Sequence, residues 1–112
     1  MPTTKAEGGY MTAYVIAQTK LTNEEKYLKE FIPATIRSHK AHNVEIVVRT
    51  NAVEALAGQA PERMAVLKFR DLAHARSWYH SPEQQQALQI AKECTTNMTV
   101  LMVPGFEEAD KK

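Results

Sequence analysis

Hydrophobic and polar residues alternate along four short stretches of this chain and recur at helical spacing along two others. Ala13 to Lys20, Val44 to Thr50, Arg63 to Phe69 and Met98 to Val103 carry the two-residue period of β-strands. Between the first and second, Tyr27, Leu28, Phe31, Ile32 and Ile36 fall on one helical stripe. Thr22 and Glu25 have the spacing of a capping box at its start, Pro33 predicts a kink within it, and Asn43 suits a left-handed stop. Between the third and fourth strands, Asp71 is placed to cap a helix whose stripe includes Leu72, Ala75, Trp78 and Tyr79. Ser81-Pro82-Glu83-Gln84 has the composition of a second helix start, so this helix is expected in two segments, the later one carrying Ala87, Leu88, Ala91 and Cys94. Strand–helix–strand–strand–helix–strand is the order of an α+β domain with a four-stranded antiparallel sheet.

Strict alternation sorts the strand residues onto two faces. Ala13, Val15, Ala17, Val44, Ile46, Val48, Ala65, Leu67 and Phe69 make one apolar face, expected under the helices. Tyr14, Ile16, Gln18, Glu45, Val47, Arg49, Met64, Val66 and Lys68 make the other. Two helices cover only one face. Leaving five large apolar side chains of the second face in water would forgo on the order of 10 kcal/mol, comparable with the whole stability of a small domain. The expectation is a homodimer in which two sheets pack face to face about a twofold axis and enclose a partly polar chamber. The alternative is a monomer with a half-polar, solvated sheet face.

Composition narrows the function without defining it. The chain has 112 residues, 44% hydrophobic and 24% charged, with a formal net charge of +1. That suits one domain, expected over residues 12–105, with a flexible extension at 1–11 and a charged tail at 106–112. The near-neutral balance gives no electrostatic footprint for nucleic acid or a membrane surface, and no apolar run approaches a membrane-spanning length. One cysteine, Cys94, excludes an intrachain disulfide and fits an inert buried thiol. With no signal-peptide pattern in residues 1–10, the cytoplasm is the expected compartment.

Alternation places Arg49, Lys68 and Glu45 together on the chamber face, beside Tyr14 and Gln18. Two cations and one anion in a partly dry space favour a small anionic or carbonyl-bearing ligand, with Arg49 supplying a bidentate fork. The structural alternative is a cross-strand ion pair. His39 and His42 stand three apart on the last turn of the first helix, but without a third ligand they make a weak metal signal. With Lys40 they also suit the negative end of a helix dipole. No metal and no cofactor is expected. His74 and His80 look like surface or bend residues, and Trp78 suits either a pocket wall or the core. No phosphate-binding glycine loop, nucleophile elbow or zinc-helix motif is present.

Tyr14-Val15-Ile16-Ala17, Val48-Arg49, Gly58 before Arg63, Phe69 and Trp78-Tyr79 with Ser81-Pro82 together resemble a bacterial family of unknown function. That family lies in the dimeric α/β-barrel superfamily, and the likeness spans about residues 12–105. It implies a ferredoxin-like βαββαβ fold and a homodimer whose two sheets form a barrel. The wider superfamily includes small monooxygenases, isomerases, decarboxylases and haem-degrading enzymes. An enzyme of that kind would use Arg49 to anchor an anionic or enolate oxygen, and Lys68 or His39 for proton transfer. A non-catalytic metabolite binder and a purely structural dimer are the competing readings. The chain departs from the family pattern at Ala57 and Lys68, where acidic residues are usual, and at Asn43-Val44, Gln84 and Ala91. Arg49 and Arg63 are the family's polar positions that survive.

Overall fold

The computed structural model describes residues 11–106, so most of the expected extension and tail lies outside the described residues. Strands β1 (Ala13–Leu21), β2 (Glu45–Thr50), β3 (Arg63–Phe69) and β4 (Thr95–Pro104) form one antiparallel sheet in the order β2-β3-β1-β4. This is the ferredoxin-like βαββαβ arrangement, with the first and third strands in the centre.

Helix α1 begins at Glu24–Lys26, widens into a π-helical turn over Tyr27–Phe31 and continues as Ile32–His42. The expected kink takes this form for a simple reason. Pro33 has no amide hydrogen, so the regular ladder cannot run through it, and the backbone just ahead closes i→i+5 bonds instead, with the Ile32 amide donating to the Tyr27 carbonyl. The capping box at Thr22 does not form: Asn23 is the cap, its Oδ1 accepting from the Lys26 amide at 3.0 Å. At the far end Asn43 takes the expected left-handed conformation, φ 55°. Helices α2 (Leu72–Tyr79) and α3 (Pro82–Cys94) are separate segments. Asp71 Oδ1 accepts from the His74 amide at 2.8 Å and Ser81 Oγ from the Gln84 amide at 3.2 Å.

Ala13, Val15, Leu67, Phe69, Leu72, Ala75 and Trp78 form the buried core between the sheet and α2. Polar groups tie the layers together. Trp78 Nε1 donates to Ser38 Oγ (2.7 Å), which donates to Gln84 Oε1 (2.9 Å), so α1, α2 and α3 meet in one buried chain of hydrogen bonds. His74 is a second tie rather than a surface residue. It is buried, its Nδ1 accepting from the Arg70 amide at 3.1 Å and its Nε2 donating to the His42 carbonyl at 2.6 Å.

One local irregularity changes the two faces. Glu45 lies opposite Lys68 and Ile46 opposite Leu67, but Val48, not Val47, lies opposite Val66. Val47 is the extra residue of a β-bulge, and everything after it has its side-chain parity reversed. Arg49 therefore lies opposite Ala65 on the helix-covered face, and Val48 joins the open face. This corrects the placement of Arg49 with Glu45 and Lys68, which rested on unbroken alternation through β2.

Candidate functional site

A cavity of about 120 Å³ lies between the sheet and the helices, not on the open sheet face. Its floor is set by the rows of the sheet. In one row Ile46, Leu67, Val15 and Met102 stand side by side; in the next come Arg49, Ala65, Ala17 and Val100. The two central positions of that second row are alanines. A methyl reaches about as far from the backbone as one carbon can, so the helix layer, which rests on the larger neighbours, leaves a hollow there. In the third row Arg63 lies opposite Thr19.

Helix α1 supplies one wall through Tyr27, Phe31, Thr35 and His39, and α3 supplies the other through Gln84, Leu88 and Ala91. The π-helical turn matters for the first wall. Tyr27 and Phe31 are stacked, with ring centroids 5.2 Å apart and planes 22° from parallel, and both line the cavity. Trp78, 2% exposed, also lines it. It serves as both core and cavity wall, and its ring centroid lies 6.1 Å from that of His39.

The polar groups in this space are mostly neutral, and its charge is confined to two arginines. Arg63 stacks its guanidinium over the Tyr27 ring, 4.9 Å from the centroid. Arg49 is exposed on the edge strand, beside Ile46, where the helices leave β2 open. Among the described residues neither arginine is held in an ion pair; the ion pairs there join Lys26 to Glu30 and Glu93, Lys29 to Glu25 and His42 to Glu83. Burial pushes His39 down to about 4, with the Arg49 charge adding to the effect. Its imidazole is therefore neutral at pH 7, able to donate from one nitrogen and accept at the other.

The structure separates residues that strict alternation had grouped. Arg49, Arg63, His39 and Trp78 come together at the cavity. Tyr14, Lys68, Glu45 and Gln18 lie on the open face: Tyr14 opposite Lys68, Glu45 opposite Lys68, and Gln18 between Met64 and Thr99. The candidate chamber is thus inside one chain, between its own layers. His39 and His42 also diverge, because His42 Nε2 meets Glu83 Oε1 at 3.0 Å while His39 faces the hollow. His80 is exposed at the end of α2, and Cys94 is buried with its thiol pushed up by desolvation. Among the described residues no group of three or more histidine, cysteine or acidic side chains gathers closely enough to hold a metal ion.

Some of the site escaped the sequence reading. Ala17 and Ala65, which make the hollow, look like ordinary strand residues until register sets them opposite each other. Thr35 and Gln84 are buried polar residues on helical stripes. For the bulge there was a signal: Ile46-Val47-Val48 is an uninterrupted apolar run in a strand that otherwise alternates.

A family model described as a domain of unknown function, DUF1330, matches residues 12–106, and the chain belongs to that family. No curated protein matches it. Among solved structures it is similar to a protein of unknown function from Rhodopseudomonas palustris, with a TM-score of 0.72 at 9% identity over 91% of this chain and 88% of that one. It is also similar to a dimeric ferredoxin-like protein of unknown function from Thermobifida fusca (TM-score 0.62, 17% identity, 87% of this chain and 93% of that one). A dimeric protein of unknown function and ferredoxin-like fold from Bacteroides fragilis gives a TM-score of 0.54 at 15% identity, over 86% of this chain and all of that one. At these identities the likeness establishes the fold. No helix among the described residues is long and apolar enough to cross a membrane.

Proposed function

We propose that this protein is a homodimer in which each chain binds a small organic anion between its own sheet and helices. The observation that carries the binding reading is Arg49. The bulge turns this arginine onto the alanine-floored hollow, where no carboxylate of the described chain engages it. An unpaired guanidinium at the mouth of a mostly apolar cavity attracts a carboxylate or enolate, and its planar fork can hold two oxygens at once.

Dimerisation is supported by the open face. Tyr14, Ile16, Val66, Val48, Leu101 and Val103 spread an apolar surface across all four strands, with Leu101 50% exposed and Val48 36%. The Thermobifida fusca and Bacteroides fragilis proteins are described as dimeric. Lys68, Glu45, Tyr14 and Gln18 would then meet the partner copy rather than a ligand.

Catalysis is a second reading, resting on His39 and Arg49 lining one cavity; with a value near 4 the ring would be a weak base. Arg49 would stabilise an oxygen that gains negative charge as His39 takes up a proton from the ligand. Lys68, on the other face, has no part in that step.

Thermal denaturation with a panel of small carboxylates and their neutral amides tests the binding reading. At least one carboxylate should raise the melting temperature where its amide does not, and Arg49→Gln should remove the shift. Equal shifts for acids and amides, or a shift that survives Arg49→Gln, would exclude an anion site at this residue.

A further inference from the structure

The cavity defines the body of the ligand as well as its charge. Trp78, His39, Tyr27, Phe31 and Arg63 all border it around the alanine hollow. The hollow is shallow by construction, because a sheet and a helix layer keep a nearly constant separation and only the two alanines lower the floor. Such a gap admits a flat group lying parallel to the sheet and rejects a bulky tetrahedral one. A volume of about 120 Å³ is close to that of a cavity known to take a single benzene ring.

The walls around the gap carry π-faces and aliphatic groups, while charge is confined to two points. Arg49 lies opposite Ala65 on β2, and Arg63 stands two residues from Ala65 on the same face of β3. Diagonal neighbours of this kind have Cβ atoms roughly 7–8 Å apart, a span that two long side chains close easily on a shared carboxylate. Like charges brought that near, with no carboxylate of the described chain between them, leave an electrostatic vacancy that an anion fills. The rest of the cavity holds only hydroxyls, one amide and the neutral His39 ring as polar groups.

Resting on the small-anion reading above, we infer that the ligand is a planar aromatic monocarboxylate. Its ring lies over Ala17 and Ala65 between Trp78 and Phe31, and its carboxylate is shared by Arg49 and Arg63. The guanidinium of Arg63 is already half-ordered by its stack on Tyr27, which lowers the entropy cost of holding the anion.

Trp78 is the one tryptophan in the chain and borders this cavity, so its fluorescence reports occupancy directly. The experiment titrates the full-length protein with benzoate, benzamide, acetate and cyclohexanecarboxylate while following that emission, with melting temperature as a second readout. Benzoate should bind at least about tenfold more tightly than each of the other three, and Arg49→Gln and Arg63→Gln should each weaken it by about tenfold or more. Ala65→Val, which fills the hollow and leaves both arginines, should abolish benzoate binding while the far-ultraviolet circular dichroism stays that of the parent. Acetate or cyclohexanecarboxylate binding as well as benzoate would overturn the aromatic inference and leave the anion site standing. Benzamide equal to benzoate, or no binding by any carboxylate, would overturn both.

Discussion

The two faces of the sheet are built from neighbouring residues of the same strands, yet they are suited to different tasks. The helix-covered face has small residues at its centre and arginines toward its margin, which makes it concave with charge at the opening. The open face has Ile16, Val66 and Val48 across its middle with Glu45 and Lys68 toward one end, which makes it broad and apolar. A concave face with sparse charge suits a small ligand; a broad apolar one suits a partner of its own size. What separates them is that Val47 bulges instead of pairing, so that Arg49 falls on the first face and Val48 on the second.

The comparison breaks most visibly at Leu101. An aspartate there would bury an unpaired charge in the proposed dimer, a cost of roughly 3–5 kcal/mol, so self-association should weaken by about two orders of magnitude or more. Light scattering should find the parent at twice 12.6 kDa and Leu101→Asp at the single-chain mass, with the melting shift by carboxylates still present in the variant. A single-chain mass for the parent would remove the second task from the open face.

Next in size is the hydrogen-bonded tie behind the cavity. Ser38→Ala leaves Trp78 Nε1 and Gln84 Oε1 without their shared partner in a buried place, which costs about 1–3 kcal/mol. For a domain of this size that corresponds to a melting temperature lower by roughly 5–15 °C. An unchanged melting temperature would mean that the helices and Trp78 are held by packing alone.

A smaller effect belongs to His39. Its folded value of about 4 lies below the unfolded 6.5, so between these values the unfolded chain holds more of the proton. Stability contributed by the neutral ring is fully present above pH 6.5 and is lost as pH falls towards 4. Urea titrations at pH 7, 6, 5 and 4 should show parent stability declining more steeply than that of His39→Gln. Parallel declines would place the imidazole in water and outside the cavity.

The smallest expected effect is the sharpest test of why the faces differ. Removing Val47 regularises β2 but keeps Ile46 opposite Leu67 and Arg49 opposite Ala65, because the surplus residue is the one taken away. The carboxylate-dependent melting shift should therefore persist in the deletion variant. Its loss would show that the bulge aims Arg49 by bending the strand rather than by reversing parity.

Much of the fold was legible because its signals are local and redundant. Asp71, Ser81 and Asn43 each stop or start a helix through one side chain and the backbone next to it, and the structure shows each doing so. The strands were recognisable for the same reason, since a two-residue period needs no knowledge of the neighbours. The site was less legible because it depends on parity and register, which are collective. Arg49 stands out in the sequence as an anion anchor, but strict alternation through Val47 puts it on the wrong face. From sequence Trp78 suits either wall or core because one ring can satisfy both, and only the hollow beside it shows that it does. His74 looks like a surface residue in sequence because nothing in its neighbourhood reveals the His42 carbonyl that its ring meets.

The sheet has a second surplus residue on its other border. Near Asn97, which has φ 55°, β4 holds one residue more than β1 can pair, as β2 does against β3 at Val47. Both outer strands are thus buckled, and a buckled margin is a poor template for a further strand. Fibre-like growth, sheet added to sheet along the hydrogen-bond direction, is discouraged at either side. What remains is stacking, and in the proposed dimer a layer that meets its own twin has no bare sheet face left to recruit a third.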